Sequence, residues 1–412
     1  MKRFTIRHLF VIIAMCGLCG ASVGICTNTA GLFYTSISDD LGIGQGAVSL
    51  TLTILSITSA AAGLFVASII KNEMMLKPMI AASILMMAGG TWLLAVSDNL
   101  WMIYLWNVIR GVGAGLAGFV TSTIVINRWF YARHGFFVSL AMCFSGIPGV
   151  LLSNFFTSVI QADGWREGYI VVAIVILAFT LPSLVLPFTL DPFKCGTKPY
   201  GYEEYEALKE SNPEKMVLER KDHGLPAMAL VIFIIYTSAA AINSCLLQHL
   251  PNYAVFSGNA AALGAMMVAV VNGANVIAKL SFGMLSDRVG TMKSSLLMAT
   301  LSTTGIALMA FLPLPAALVA GAALYGCTMP NSAIALSLIT SDIFGLGDYN
   351  RIYPVISFIC STVYAIAVAL MGTLFDISGS YLPVFALCLV MQLLVFVTVK
   401  VLYGRYAAKS VR

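Results

Sequence analysis

The sequence predicts an all-α membrane protein whose twelve transmembrane helices form two six-helix bundles, and three observations carry that expectation. Of the 412 residues, 59% are hydrophobic and 10% are charged, a composition foreign to soluble domains. Twelve runs reach the roughly 20 apolar residues that a helix needs to cross hydrocarbon: 9–34, 46–70, 78–96, 101–126, 136–160, 168–189, 225–250, 261–286, 293–312, 315–341, 353–375 and 381–403. The one extended polar stretch separates the sixth run from the seventh, giving a first bundle over 1–190, a linker loop over 191–224 and a second bundle over 225–412. The runs are continuous and do not alternate apolar with polar residues, so they are helices and not barrel strands.

Lysines and arginines set the expected orientation, because they gather on the cytoplasmic side. An inside N-terminus accounts for 20 of the 23, from Lys2, Arg3 and Arg7 through Lys71, Lys77, Arg128 and Arg133 to Arg288, Lys293, Arg351 and the final Lys400, Arg405, Lys409 and Arg412. The outer connections carry Asp39, Asp40, Asp98, Asp163 and Glu167 instead. Both termini are thus expected in the cytoplasm, with the protein in the cytoplasmic membrane. The basic, then apolar, beginning imitates a secretory signal, but eleven further spans make it a retained first helix. Three basic residues stand apart: Arg166 at an outer loop, and Arg110 and Lys279 inside spans. All 18 carboxylates fall in loops or at span ends, so the membrane interior holds two fixed cations and no fixed anion, an inventory that points to anionic cargo.

In chain order, span one buries Thr27, Asn28 and Thr29, and Asn28 is a candidate for either interhelical bonding or substrate contact. Thr51 and Thr53 in span two are read as packing. Span four holds Trp106, Asn107 and Arg110 before a glycine-rich run. Gly113, Gly115 and Gly118 have the spacing of a dinucleotide fingerprint, a false positive without a strand and a soluble sheet; Gly111 and Gly115 are better read as a close-approach pair. Arg110 either keeps a cavity positive and takes part in coupling, or braces span four. Pro148 in span five predicts a kink. The loop mixes Glu203, Glu204, Glu206, Glu210, Glu214 and Glu219 with Lys209, Lys215, Arg220 and Lys221, which suits a solvated helix or tether and is too short for a catalytic domain. Span seven offers Tyr236, Asn243, Gln248, His249 and Pro251, with His249 expected near the outer mouth as a titrating coupling candidate or as an interface anchor.

Span eight is the stretch around which the rest is organised. It places Lys279 inside an apolar segment, where a charge costs at least ~2.5–3.5 kcal/mol. Residues three, four and seven apart share a helix face, so Asn272, Asn275 and Lys279 form one polar stripe that should face a cavity. Spans ten and eleven add Tyr325, Thr328, Asn331, Ser361, Thr362 and Tyr364 as hydrogen-bond candidates. Eight of the nine cysteines lie in spans and Cys195 in the loop; Cys16 and Cys19 have CxxC spacing, but within the first helix, so neither a disulfide framework nor a metal site is expected.

Gly283-Met284-Leu285-Ser286-Asp287-Arg288-Val289-Gly290-Thr291-Met292-Lys293 resembles the loop motif of the major facilitator superfamily, while its first-half counterpart, 63–77, lacks the Asp-Arg pair. Asp287 and Arg288 would then form a one-sided conformational latch. Arg110 and its glycines resemble the span-four motif of that superfamily. The turn 127–135, Lys198-Pro199-Tyr200-Gly201, Gln248-His249-Leu250-Pro251 and Asp342-Ile343-Phe344-Gly345 are similar to the oxalate/formate antiporter and monocarboxylate transporter branch. The resemblance implies two pseudo-symmetric bundles with a midplane site at their interface, and a span-eight cation, here Lys279, on the substrate carboxylate. Oxalate carriers of this type also have a span-eleven lysine, which 353–375 lacks, so a monocarboxylate is favoured. Where animal proton-coupled carriers have a span-one lysine and a span-eight aspartate, this chain has Asn28 and Asn275, neither of which titrates.

The expected function is therefore a secondary transporter that moves a small organic anion by alternating access, through proton symport or anion exchange. Lys279, Asn275, Asn272, Asn28, Tyr325 and Tyr364 are the substrate-binding candidates. The expected partners are the anion, protons or a counter-anion, and the lipid bilayer; no cofactor, metal or nucleic acid is expected, and the protein is expected to be monomeric. A drug or amphipathic-compound exporter of the same fold and a dicarboxylate/formate-type antiporter are the alternatives, while a non-transporting sensor would need an output domain that the short tail 402–412 does not supply. An enzyme would need a titratable pair or metal cluster within the spans, and neither is seen.

Overall fold

The computed structural model describes residues 4–43, 45–211 and 227–406. Part of the polar loop, 212–226, with Glu214, Lys215, Glu219, Arg220 and Lys221, lies outside the described residues, as do Lys2, Arg3, Lys409 and Arg412 at the ends. Among the described residues twelve helices are long and apolar enough to cross a membrane. Spans one to six are Ile6–Phe33, Leu50–Ile70, Glu73–Ala95, Leu100–Trp129, His134–Leu152 and Trp165–Val185. Spans seven to twelve are Ala227–His249, Met266–Val289, Thr291–Phe311, Pro315–Gly345, Gly347–Phe375 and Leu382–Arg405. The described residues contain no strand, only an isolated bridge between Phe130 and Tyr200. The chain divides into two compact units, Met1–Ser211 and Asn212–Arg412.

In the first unit, spans two and four approach closely because glycine leaves room between them. A β-carbon at Gly115 would lie 2.0 Å from the Ser59 carbonyl oxygen, and one at Gly111 1.8 Å from Thr58 Oγ1. Span five breaks where its proline predicts: the helix stops at Cys143 and restarts at Ile147 with Pro148 in its first turn. The carbonyl of Ser145, freed from the helix ladder by that break, accepts a 2.7 Å hydrogen bond from Asn28 Nδ2.

The beginning of the polar loop belongs to this first unit. The Tyr200 amide donates to the Trp129 carbonyl at 2.8 Å, and the amides of Tyr131 and Ala132 return to the Tyr200 carbonyl at 2.9 and 3.0 Å. Gly201 completes the turn at φ +84°, where a β-carbon would meet that of Ala132 at 2.4 Å. The motifs 127–135 and 198–201 thus form one clasp at the end of span four. Lys77, read from sequence only as an inside charge, has a structural task here. Its Nζ donates to the carbonyls of Ser183 and Leu186 at 2.6 and 2.9 Å and lies 3.8 Å from the centre of the Phe188 ring. A cation thereby satisfies orphan carbonyls at the C-terminal end of span six.

At the opposite end of this unit, Arg166 Nη1 donates to Asp40 Oδ2 at 2.6 Å, and Trp165 Nε1 donates to the same oxygen at 3.1 Å. The apparent exception among the basic residues is therefore charge-paired. The Arg166 hydrogen bond, then that of Trp165, holds the Asp40 carboxyl below its usual range.

Two outcomes follow from these contacts. Gly115→Leu should force spans two and four apart, at a cost of at least the ~1–3 kcal/mol of an overpacked core, read as a lowered melting temperature in detergent and loss of the monodisperse peak on size exclusion. Because the folded Asp40 carboxyl titrates below the unfolded ~3.9, its contribution is fully present above that value and is lost only as pH falls through the folded one. Asp40→Asn should therefore leave the shape of the transport profile between pH 5 and 8 unchanged; a displaced profile would show that Asp40 titrates there.

Candidate functional site

Residues 261–289 form one unbroken helix, Ala261–Val289, because nothing in its sequence interrupts the backbone ladder until Gly290 ends it at φ +89°. Its polar stripe points inward. Lys279 is 5% and Asn275 8% exposed, and Asn272 is half-buried. Asn275 Oδ1 is buried with no hydrogen-bond partner among the described residues. An unsatisfied buried polar atom costs about 1–3 kcal/mol, so this helix carries a polar function that its own packing does not repay.

Span ten passes span eight at this level through a break in its helix. The α-helix Pro315–Tyr325 gives way to a tighter turn over Gly326–Thr328. A β-carbon at Gly326 would stand 2.6 Å from that of Ala274 and 3.2 Å from the Asn275 amide nitrogen. Glycine here lets the two backbones touch beside Asn275.

The aromatic candidates lie on either side of the end of span seven. Tyr325 has no solvent exposure; its hydroxyl donates to the Asn243 carbonyl at 2.7 Å and accepts from the Leu247 amide at 3.1 Å. Both hydrogen-bonding directions are committed to the backbone, so Tyr325 holds the segment where span seven tightens, over Leu246–His249, and its hydroxyl is not open to cargo. Tyr364 is half-buried and accepts a 2.9 Å hydrogen bond from Gln248 Nε2. His249, expected at an outer mouth, is buried, with Nε2 3.1 Å from the Val368 carbonyl. It links spans seven and eleven and is not an open titrating group.

A buried network that the linear sequence does not announce lies in the same unit. Tyr236 donates to the Asn331 carbonyl at 3.0 Å, and Ser295 donates to Asn331 Oδ1 at 2.7 Å, tying spans seven, nine and ten. The individual residues are visible in the sequence, but their pairing is not.

The first unit contains the other buried cation. Arg110 is 3% exposed. Its Nη1 donates to Asn107 Oδ1 at 2.9 Å, and its guanidinium carbon lies 5.8 Å from the centre of the Tyr169 ring. Arg110 Nε and Trp106 Nε1 have no hydrogen-bond partner among the described residues. Asn28, in the same unit, is exposed apart from its bond to Ser145. Asp287 and Arg288 are exposed near the end of span eight. Among the residues whose exposure is described, no aspartate or glutamate falls in the buried class, whereas Arg110 and Lys279 do; Asp342, within span ten, accepts a hydrogen bond from the Tyr403 hydroxyl. No group of three or more metal-ligating side chains occurs among the described residues either.

The sequence profile of the Major Facilitator Superfamily matches residues 16–347. Monocarboxylate transporter 12 of Rattus norvegicus is 21% identical over 347 residues, covering 78% of this chain and 70% of that protein. The uncharacterized MFS-type transporter YhjX of Escherichia coli (strain K12) is 24% identical over 332 residues, covering 80% and 79%. Among solved structures, the transporter FucP in its outward conformation superposes with a TM-score of 0.69 at 14% identity, covering 95% of this chain and 98% of that one. The proton:xylose symporter XylE bound to 6-bromo-6-deoxy-D-glucose gives 0.70 at 14%, covering 98% and 96%. At that identity the structural likeness speaks for the fold alone.

The commitment of Tyr325 has a measurable consequence. Tyr325→Phe leaves the Leu247 amide unsatisfied and should lower stability by about 1–3 kcal/mol, seen as a depressed melting temperature in detergent with the KM for cargo little changed; a large change in KM at unaltered stability would return Tyr325 to the binding surface.

Proposed function

The chain belongs to the Major Facilitator Superfamily, and from that membership we propose that this integral membrane transporter carries a small organic anion, most simply a monocarboxylate, across the cytoplasmic membrane by alternating access. It performs no chemistry on its cargo, and gradients drive it, by proton symport or by exchange for a second anion. The observation that carries the reading is the burial of Lys279 and Arg110 without a buried carboxylate among the described residues. Moving a carboxylate from water into a low-dielectric interior costs several kcal/mol unless a cation and hydrogen bonds replace its hydration. Lys279 supplies the cation, and the amide of Asn275 with its unpaired oxygen supplies a hydrogen bond beside it, with Asn272 one turn away. Arg110, with its unpaired Nε, keeps the first unit electropositive. Asn28 and Tyr364 complete the contacts proposed for the cargo, and Asp287 with Arg288 serves as a latch between conformations.

Two further points favour one carboxylate over two. Span eleven has no lysine between 353 and 375, so a second carboxylate would lack a cation from that span. The rat relative, similar over most of the chain, bears the name of a monocarboxylate transporter. A drug exporter would not require Lys279 to be charged.

Uptake of labelled mono- and dicarboxylates into proteoliposomes tests the reading, with wild type, Lys279→Ala and Lys279→Arg compared under imposed pH gradients and different trans anions. Losing one partner of a buried charged pair costs roughly 2–5 kcal/mol, so Lys279→Ala should lower kcat/KM for the anion about thirtyfold or more, with partial recovery in Lys279→Arg. Stimulation by an inward proton gradient would establish symport, and stimulation by a trans anion exchange. Equal uptake by wild type and Lys279→Ala, or uptake confined to uncharged compounds, would overturn the anion reading.

A further inference from the structure

Span eight has a second face that the proposed transport function does not use. Residues 274, 277, 278, 281, 285 and 288 fall within one arc of about 100° at ~100° per residue and so share one side of the helix, whereas Asn272, Asn275 and Lys279 lie on the other. The first side lines an open groove of about 540 Å³, walled by Leu297, Met298 and Leu301 of span nine and by Ala323 and Cys327 from span ten. Its volume falls within the roughly 300–1,000 Å³ of ligand sites. The small side chains of Ala274, Ala278 and Ala323 leave the space that larger residues would fill. Ile277 at 68%, Met284 at 47% and Leu297 at 46% exposure form an apolar rim.

The shape and charge of this groove are specific. From Ala274 to Arg288 the helix advances 14 residues, about 21 Å at ~1.5 Å per residue, which is more than half of a hydrocarbon core of ~30 Å. Along that length the lining is apolar but for the hydroxyl of Ser281, and at its end stands Arg288, a lining residue whose position the distribution of basic residues assigns to the cytoplasmic surface. Lys293 adds a second cation. It lies four residues before Leu297 and eight before Leu301, on the ridge of span nine that faces the groove. Asp287 is about 100° around the helix from Arg288 and lies off the groove face. One long apolar slot with two cations at its mouth complements a molecule with a long hydrocarbon tail and an anionic head at the inner surface of the membrane.

We propose that this groove holds an acyl chain of an anionic phospholipid from the cytoplasmic leaflet, its phosphate set between Arg288 and Lys293. The rim of exposed apolar side chains gives a leaflet lipid lateral entry, and the second acyl chain remains in the bilayer beside it. The site stands apart from the proposed anion path and does not depend on the identity of the transported cargo. Because Arg288 is also the proposed latch, a lipid phosphate bound there would tie the conformational state to the charge of the surrounding leaflet.

Native mass spectrometry of the purified full chain tests the site, with phosphatidylglycerol, phosphatidylcholine of the same acyl chains and free oleate titrated separately. Wild type should bind one phosphatidylglycerol in preference to phosphatidylcholine. Arg288→Gln and Lys293→Gln should each weaken phosphatidylglycerol about fivefold, the factor one basic residue confers at an anionic surface, and leave phosphatidylcholine unchanged. Ala323→Phe, which fills the slot and keeps both charges, should abolish the bound lipid, and Lys279→Ala should retain it. Equal binding of the two phospholipids, insensitivity to Arg288→Gln, or oleate binding as tightly as phosphatidylglycerol with the same arginine dependence would each overturn the proposal. A phosphatidylglycerol with a photoreactive acyl chain gives a variant-free check on wild type: cross-links should fall on 274–301 and 323–327, and labelling confined to other peptides would refute the site.

Discussion

A backbone amide or carbonyl in hydrocarbon has no water to bond to, and this structure is organised around that constraint. Continuous helices satisfy it without help, which is why the spans are helical. Breaks do not satisfy it, and at several places where a span breaks or ends, a polar side chain from elsewhere in the same unit takes over the freed group. Asn28 donates to the Ser145 carbonyl in the gap of span five. Tyr325 meets the Leu247 amide where span seven tightens, Tyr236 the Asn331 carbonyl just before span ten changes course, and Lys77 the last carbonyls of span six. Many of the polar residues inside the spans are thus spent on the backbone.

That accounting gives the remainder its meaning. A polar group that repairs no break and pairs with nothing stands out because burial has already charged for it. Asn275 Oδ1 and Arg110 Nε are such atoms, and both sit on or beside a buried cation. An ionisable side chain kept inside a membrane at such a cost marks a functional site by default. Arg288 at the end of span eight and Lys293 at the start of span nine, by contrast, are exposed.

Much of this was legible in the chain. Hydropathy over some 20 residues locates the spans because length and composition alone decide whether a helix can cross, and the observed ends differ from the predicted ones by a few residues in most spans. The 3.6-residue period places Asn272, Asn275 and Lys279 on one face before any coordinates are known. Pro148 marks the gap in span five, and the pair Gly111 and Gly115 marks the approach of another helix. The clasp between 127–135 and 198–201 is signalled only by resemblance, since nothing local says that these segments meet.

The sequence by itself determined the class of protein, the number of spans and the presence of two costly cations, because each depends on composition or on neighbours within a few turns. Tertiary structure alone decided which polar side chains are already committed. Tyr325 reads as a pocket residue until its hydroxyl is seen bonded to a backbone amide 78 positions away, and His249 reads as an open titrating group until Val368, 119 positions away, is seen to hold it. Hydrogen bonds act over about 3 Å, and sequence separation carries no information about that distance.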